Sequence, residues 1–432
     1  MKLQIEKAVY GGACLAHKDD GEAVFVSFTL PAELVDVQPQ EKKSDFDEAL
    51  LIEVLTESKE RVLPACSHFG QCGGCQYQHA AYPAQVEMKK AILQETLERA
   101  GLKSLPKINT HTGPPWAYRN RMRLRIEELE DSLRVGYNRR GTNEFLAIHE
   151  CPITAPLLWR AAQSLLQISE EDSASHPWIS NAAEVEFFTT TDETKLQMKL
   201  FVRKDQAGLG SFCERMKLLI PELVGAGTSL IKPTGPQRQI QKPRPLESWG
   251  ATGLSYPAGN ENYWVSRGGF FQVNRFLLDE LIRIVASGRH GFLAWDLYAG
   301  VGLFSRALAK QFRQVVAVET AGTDLINSFK GPGKLAVEAT TVEFLRRAVV
   351  QRERPQLIVI DPPRAGVGAE VCSLLARIAA PEIVYVSCDP ITLARDLKML
   401  VDGGYKLKEL HLVDLFPQTF HLETIVVLRR ET

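Results

Sequence analysis

The sequence lacks a charge excess of either sign: 51 Lys and Arg stand against 52 Asp and Glu in 432 residues. Over the whole chain, that balance argues against a nucleic-acid binder, which carries a basic excess. No run of about 18 apolar residues exists, so no helical membrane span is expected. The first residues, MKLQIEKAVYGG, have no apolar stretch after a basic start, so no secretory leader is expected. The eight cysteines are too few and too scattered for a disulfide scaffold. These absences point to a cytoplasmic chain whose thiols stay reduced, where clustered cysteines mean metal or catalysis rather than bridges. What is present, 45% hydrophobic and 24% charged residues, is ordinary globular composition. The length allows two to four domains at about 100–200 residues each.

The near-zero charge is a sum of unlike parts. Residues 1–57 hold five Lys and no Arg against twelve Asp or Glu, a net of −7, so the remainder is mildly basic. Short apolar runs at Leu3–Val9, Ala23–Phe28, Leu34–Val37 and Ala49–Leu55, punctuated by Gly11, Gly12, Gly21 and Pro31, predict a small OB-like β-barrel. A helix is expected over Tyr82–Ala100, stopped by Gly101. Residues 105–230 read as strand-rich with some helix, with Glu184–Thr190 and Leu196–Arg203 as paired strands. The Pro-rich, basic stretch Lys232–Pro245 reads as an exposed loop or hairpin.

From Leu293 the pattern becomes a regular alternation of short apolar strands and amphipathic helices. Repeated βα units of this kind build a Rossmann-like, doubly wound and mostly parallel sheet. Leu407–Leu415 and Glu423–Arg429 have no helix between them and predict an antiparallel hairpin at its edge. The expected organisation is a barrel over 1–57, a central α+β domain over 58–250 and an α/β domain over 251–432.

Sites on such sheets lie at the carboxyl ends of the strands. The first strand ends in Asp296-Leu-Tyr-Ala-Gly300-Val-Gly302, and the next ends in Glu319, about 20 residues on. Glycines let a ligand approach the backbone, and a carboxylate at that distance can accept from both ribose hydroxyls. The motif is not GxGxxG, so a ribose-bearing ligand without phosphate, such as S-adenosylmethionine, fits it; a plain tight turn capped by Asp296 is the alternative. Asp361-Pro-Pro-Arg364 ends the strand LIVI, and two prolines hold Asp361 rigidly at the rim. Cys388 closes the following strand. A lone cysteine is more often a buried apolar residue than a nucleophile, but three carboxylates at the same rim favour chemistry. The chemistry that fits is methylation of carbon 5 of uracil: a thiolate adds to carbon 6, carbon 5 attacks a methyl donor, and a base removes the carbon 5 proton. Glu423 is a candidate base, with a plain strand residue as the alternative.

Five ordered motifs carry a resemblance: FFQVN (270–274), DLYAGVGLF (296–304), DPPR (361–364), SCDP (387–390) and DLFPQTFHLE (414–423). Together they resemble the S-adenosylmethionine-dependent RNA uracil-5-methyltransferases, closely over residues 250–432 and by layout elsewhere. The resemblance implies a class I methyltransferase domain, with Cys388 as nucleophile and Glu423 as base. It implies S-adenosylmethionine contacts from Gln272, Tyr298, Glu319 and Asp361 beside the Gly300–Gly302 turn. It also implies contact of Asp361 with the target base and of Arg364 with RNA. Leu303 and Ala339 stand where the family often has polar residues. The substrate implied is large-subunit ribosomal RNA, with transfer RNA as the alternative, and a monomer is expected. A non-catalytic RNA-binding protein that keeps the fold is the rival of another class.

Cys66, Cys72 and Cys75 crowd into ten residues with glycines between them and suit a metal centre; Cys151, followed by Pro152, is the choice of fourth ligand. The lopsided spacing favours a [4Fe-4S] cluster over zinc, and all four positions match the iron–sulfur class of the same family. Arg119, Arg121, Arg123 and Arg125 alternate with period two, so a strand there puts four guanidiniums on one face, for phosphates or for neighbouring glutamates. Lys232, Arg238, Lys242 and Arg244 are second candidates for RNA. Residues 1–57 resemble a TRAM domain, whose net −7 here matches phosphates poorly.

Overall fold

The computed structural model describes residues 1–40, 47–231 and 243–430. They form two compact units: Met1–Gly70, Gly74–Pro115 and Glu280–Thr432 make the first, and Gln71–Gly73 with Trp116–Asp279 the second. Lys232, Arg238 and Lys242 lie outside the described residues. Among the described residues, no helix is long and apolar enough to cross a membrane.

The first unit begins with a six-stranded sheet, Lys2–Gln4, Leu34–Pro39, Asp47–Thr56, Ala23–Ser27, Ala13–His17 and Lys7–Ala8 in spatial order. Both end strands belong to one segment, Lys2–Ala8: Leu3 pairs with Val35, and Lys7 with Leu15. The sheet therefore curls round on itself. Period-two alternation buries Val24, Val26, Val35 and Val37 inside. The strand Ala13–His17 has too weak an apolar pattern to be read from sequence.

The same unit contains an eight-stranded sheet in the order Lys334–Glu338, Phe312–Glu319, Gly291–Leu297, Leu357–Ile360, Glu382–Ser387, Glu423–Arg430, Tyr405–Val413 and Ile108–His111. The first five run parallel, as the βα alternation predicts, and Glu423–Arg430 runs antiparallel to both its neighbours. The hairpin is not quite the edge: Ile108–His111 adds a further strand, parallel to Tyr405–Val413. The inner strands Leu357–Ile360 and Glu382–Ser387 are buried almost throughout, because helices cover both faces. The helix Tyr82–Arg99 starts at a proline in its first turn and ends at Gly101 (φ 82°).

The second unit is built on a seven-stranded sheet: Phe145–Ala147, Ser132–Asn138, Arg121–Leu129, Ala182–Thr189, Leu196–Val202, Leu223–Leu230 and Arg244–Gly250. Ala182–Thr189 and Leu196–Val202 pair antiparallel as expected. Met122, Leu124, Val185 and Met198 turn to one face, where they pack with the helices Pro156–Glu171 and Leu209–Leu219.

Candidate active site

Strand register brings the predicted residues to one edge of the eight-stranded sheet. Leu297 lies opposite Ile360, and Ile360 opposite Tyr385. Ser387 lies opposite Thr424 in the antiparallel ladder. Cys388 is one residue beyond Ser387 and Glu423 one before Thr424, so nucleophile and base candidates face each other across neighbouring strands. Asp361, one residue beyond Ile360, flanks them.

The turn after the first strand is held in an unusual backbone. Tyr298, Gly300 and Gly302 all have left-handed φ values, 62°, 56° and 85°. Glycine adopts this freely, whereas at Tyr298 it carries strain, a sign of a functional turn. A Cβ added at Gly300 meets nothing within 4 Å, so the backbone there borders open space. Glu319 accepts from Gly300 N at 3.0 Å and from Thr320 N at 2.8 Å, which fixes its carboxylate beside that space. Asp296 is buried and accepts from the Ser305 hydroxyl; its Oδ1 has no hydrogen-bond partner among the described residues. A ribose-bearing ligand suits this combination of an open cradle, a fixed carboxylate and an orphaned acceptor.

Burial raises three carboxyls at this rim above their ordinary values. Burial pushes Asp296 up to about 7. Asp361 is also raised to about 7, by burial first and by the Asp296 charge second. Glu423, 3% exposed, is raised well above the usual range, by burial and then by Asp361. Burial, and then the Glu423 charge, push the half-buried Cys388 thiol up to about 11, while Arg364 pulls it down. A thiol beside two buried carboxyls with raised pKa values is an arrangement suited to acid–base chemistry.

One consequence is measurable. A carboxyl whose pKa is higher in the folded than in the unfolded chain favours folding most below the unfolded value near 4, and this contribution is lost as pH rises through about 7. Asp296→Asn removes that loss. The variant's stability relative to the parent is expected to grow between pH 5 and pH 8, by about 2–4 kcal/mol, from a shift of roughly three pH units. Melting temperatures at each pH check this; a difference that stays flat overturns it.

Asp389 anchors the turn that carries Cys388. It caps the helix Pro390–Asp402, its Oδ1 accepting from Ile391 N and Thr392 N at 3.0 Å each. Its Oδ2 accepts from the Tyr10 hydroxyl at 3.1 Å. Sequence reasoning missed Tyr10, which no motif marks. Arg364 is exposed, and its Nη2 lies 3.2 Å from Nδ1 of His421. Leu303 is buried and Ala339 packs against the apolar core, consistent with their apolar identity. Gln272 belongs to the second unit, where it is buried and its carbonyl accepts from Asn120 Nδ2 at 2.9 Å.

All eight cysteines lie among the described residues, and none of them is joined in a disulfide. Cys14, Cys213 and Cys372 are buried, and burial pushes each thiol up to about 12. Cys66, Cys72, Cys75 and Cys151 are half-buried instead. Cys66 and Cys75 belong to the first unit; Cys72 and Cys151, in the second, both border the phenol of Tyr137. Among the described residues no group of three or more His, Cys, Asp or Glu is gathered tightly enough to hold a metal ion.

In the second unit the arginine face takes a different form from four open forks. The strand begins at Arg121, not Arg119. Arg121 meets Glu186 at 3.1 Å and lies over Phe188 at 4.4 Å. Arg123 pairs with Glu184 and lies 3.9 Å over Phe201; Arg125 pairs with Glu127 and reaches Asn138 at 2.6 Å. The glutamates come mainly from the neighbouring strand Ala182–Thr189, a pairing that the local sequence does not show. The exposed Arg244 stands 3.8 Å from Asp205.

Residues 334–431 match the family model described as tRNA (Uracil-5-)-methyltransferase. Over 448 residues the chain is 33% identical to an RNA methyltransferase of Aquifex aeolicus, covering 99% of this chain and 98% of the relative. It is 31% identical to the 23S rRNA (uracil(1939)-C(5))-methyltransferase RlmD of Chromohalobacter salexigens, covering all of this chain and 89% of that one. The fold matches the crystal structure of the Pyrococcus abyssi tRNA (uracil-54, C5)-methyltransferase in complex with S-adenosyl-L-homocysteine, with a TM-score of 0.76, 21% identity and 99% of each chain covered. Strand order, rim chemistry and full-length similarity agree, and the chain belongs to the RNA uracil-5-methyltransferase family, on the class I fold of S-adenosylmethionine-dependent enzymes.

Proposed function

We propose that this enzyme methylates carbon 5 of one uridine in large-subunit ribosomal RNA through a covalent adduct of Cys388 with carbon 6. The observation that carries the reading is the convergence of Cys388, Glu423 and Asp361 at the ends of three neighbouring strands. S-adenosylmethionine supplies an electrophilic methyl group when bound. Gln272, Tyr298, Gly300, Gly302, Glu319 and Asp361 are proposed to hold it. Cys388 gives up its thiol proton as its sulfur bonds carbon 6, and the electron pair displaced moves to carbon 5, which takes the methyl as the methyl–sulfonium bond breaks and a neutral thioether departs. Glu423 then accepts the carbon 5 proton, the ring double bond re-forms and the thiolate leaves. Asp361 orients the ring, and Arg364 holds RNA at the rim. A uracil reached by a thiol, a base and a donor together has left its stack, so flipping or a looped target is part of the reading.

The curled sheet at the chain start is read as a TRAM-type OB barrel, in a cytoplasmic, monomeric enzyme of three domains with boundaries near residues 57 and 250. Arg119, Arg121, Arg123 and Arg125 are read as the RNA-binding face of the central part, its planes already stacked on Phe188 and Phe201. Cys66, Cys72, Cys75 and Cys151 are read as [4Fe-4S] ligands. Their half-burial, against the deep burial of the other structural thiols, supports this, and zinc is the alternative.

The test uses methyl-labelled S-adenosylmethionine with ribosomal and transfer RNA, followed by nuclease digestion. Label in 5-methyluridine from large-subunit RNA is expected; label from transfer RNA alone moves the substrate to the alternative. Label in neither leaves the non-catalytic RNA-binding reading. The anaerobic preparation is expected to be brown, and a colourless protein with stoichiometric zinc overturns the cluster. Neutralising Arg123 and Arg125 together is expected to weaken RNA binding and flatten its salt dependence.

A further inference from the structure

The segment 414–422 joins the strands Tyr405–Val413 and Glu423–Arg430 and delivers Glu423 to the rim. It is tied at its start by a fully buried ion pair, Asp414 with Lys89 at 2.6 Å, and Lys89 also donates to the Phe416 carbonyl at 2.9 Å. In its middle, Gln418 has a left-handed backbone, φ 68°, and is 2% exposed. For a residue with a Cβ that conformation is strained, because the Cβ crowds the following carbonyl oxygen. Four hydrogen bonds hold it there. Gln418 N donates to Gln85 Oε1, and Gln85 Nε2 donates to Gln418 Oε1, each at 2.9 Å. The Gln418 carbonyl accepts from Gln76 N and Tyr77 N at 3.0 Å each.

Strain persists where surroundings over-determine it, and such places mark segments whose exact position matters. A loop needed only for closure would be satisfied by glycine at this φ and by apolar packing. Here a buried amide reads both the backbone and the side chain of one residue, five positions before Glu423. The nucleophile is held by a different set of contacts, the Asp389 cap and Tyr10. The two supports touch where the Tyr10 and Phe420 rings lie 5.4 Å apart and where Arg364, whose carbonyl accepts from Thr392, meets His421.

We propose that Gln418, fixed by Gln85, is a positioning residue that sets the Glu423 carboxyl against the carbon 5 proton and acts in proton removal alone. The proposal rests on the reading of Glu423 as base. Its test compares Gln85→Met and Gln418→Gly with the full-length parent. Met keeps the volume but loses both bonds to Gln418 and the Nε2 bond to the Ala80 carbonyl, whereas Gly at 418 leaves the Ala80 bond in place, relieves the strain and removes the side-chain bond. Lys89 is unsuitable, since breaking a fully buried ion pair leaves an uncompensated charge and reports on folding.

Each protein is assayed on uridine RNA and on the same RNA carrying 5-fluorouridine. Fluorine cannot leave as a proton, so the methylated adduct forms on Cys388 and stays, without need of a base. Both variants are expected to trap 5-fluorouridine RNA at nearly the parent rate. On uridine RNA, kcat is expected to fall about tenfold to a hundredfold with KM unchanged, and the covalent intermediate to accumulate. Equal slowing of trapping and turnover overturns the proposal, as does parent-level turnover. If the parent itself traps no 5-fluorouridine RNA, the covalent reading falls, and this proposal falls with it.

Discussion

Cys388→Ala is expected to leave RNA binding intact and to lower 5-methyluridine formation by roughly 10⁴-fold or more, the scale seen when a covalent nucleophile is removed. Carbon 5 of uracil is a poor nucleophile until carbon 6 carries an electron-rich substituent, and Cys388 is the thiol that ends a strand of this rim. Cys14, Cys213 and Cys372 are deeply buried, and burial holds each as a thiol. Cys388 is half-buried, and its neighbour Asp389 caps a helix through backbone bonds that the substitution does not touch. The expected stability cost is therefore small, about 1 kcal/mol. Two measurements check the result: label incorporated into 5-methyluridine, and the adduct with 5-fluorouridine RNA on a denaturing gel. Normal incorporation would remove the thiol from the mechanism.

Glu423→Gln is expected to stop the reaction after methyl transfer rather than before it. The amide keeps the shape of the side chain but cannot accept the carbon 5 proton. Turnover is expected to fall by about 10²–10⁴-fold, the usual contribution of a positioned base, while protein–RNA adduct accumulates on ordinary uridine RNA. The substitution also removes a charge that pushes the Cys388 thiol up, so addition is expected to be no slower and to begin at lower pH. Adduct counted against time, at several pH values, checks both parts. A variant that turns over normally shows that the proton leaves by another group, with Asp361 next in line.

Much of the catalytic sheet was legible because its strands are buried on both faces. LIVI at 357–360 and the apolar run before Cys388 are short, continuous and bounded by proline or glycine, so their ends, where the site lies, could be read directly. Pairings between distant segments were not legible. Tyr10 and Asp389 are 379 residues apart, and Gln85 and Gln418 are 333 apart. Neither pair leaves a local pattern. The arginine strand shows the same division: its alternation was readable, whereas its partners Glu184 and Glu186 follow only from the register of the neighbouring strand. Ile108–His111, four residues with one buried position, carried too little apolar signal to be assigned to the catalytic sheet.

The division of the first unit into separated stretches of chain has a consequence for biosynthesis. The second unit, Gln71–Gly73 apart, is one continuous segment and is available to fold as soon as Asp279 has left the ribosome. The first unit is not. The helix Tyr82–Arg99 emerges with Lys89 long before its partner Asp414 is translated, and Ile108–His111 waits equally long for Tyr405–Val413. Contacts of such sequence separation close slowly and leave apolar surface uncovered in the meantime. Cys388 and Glu423, the proposed nucleophile and base, are translated after both of these waiting elements, so on that reading the chain stays inert until Glu423–Arg430 has joined the sheet.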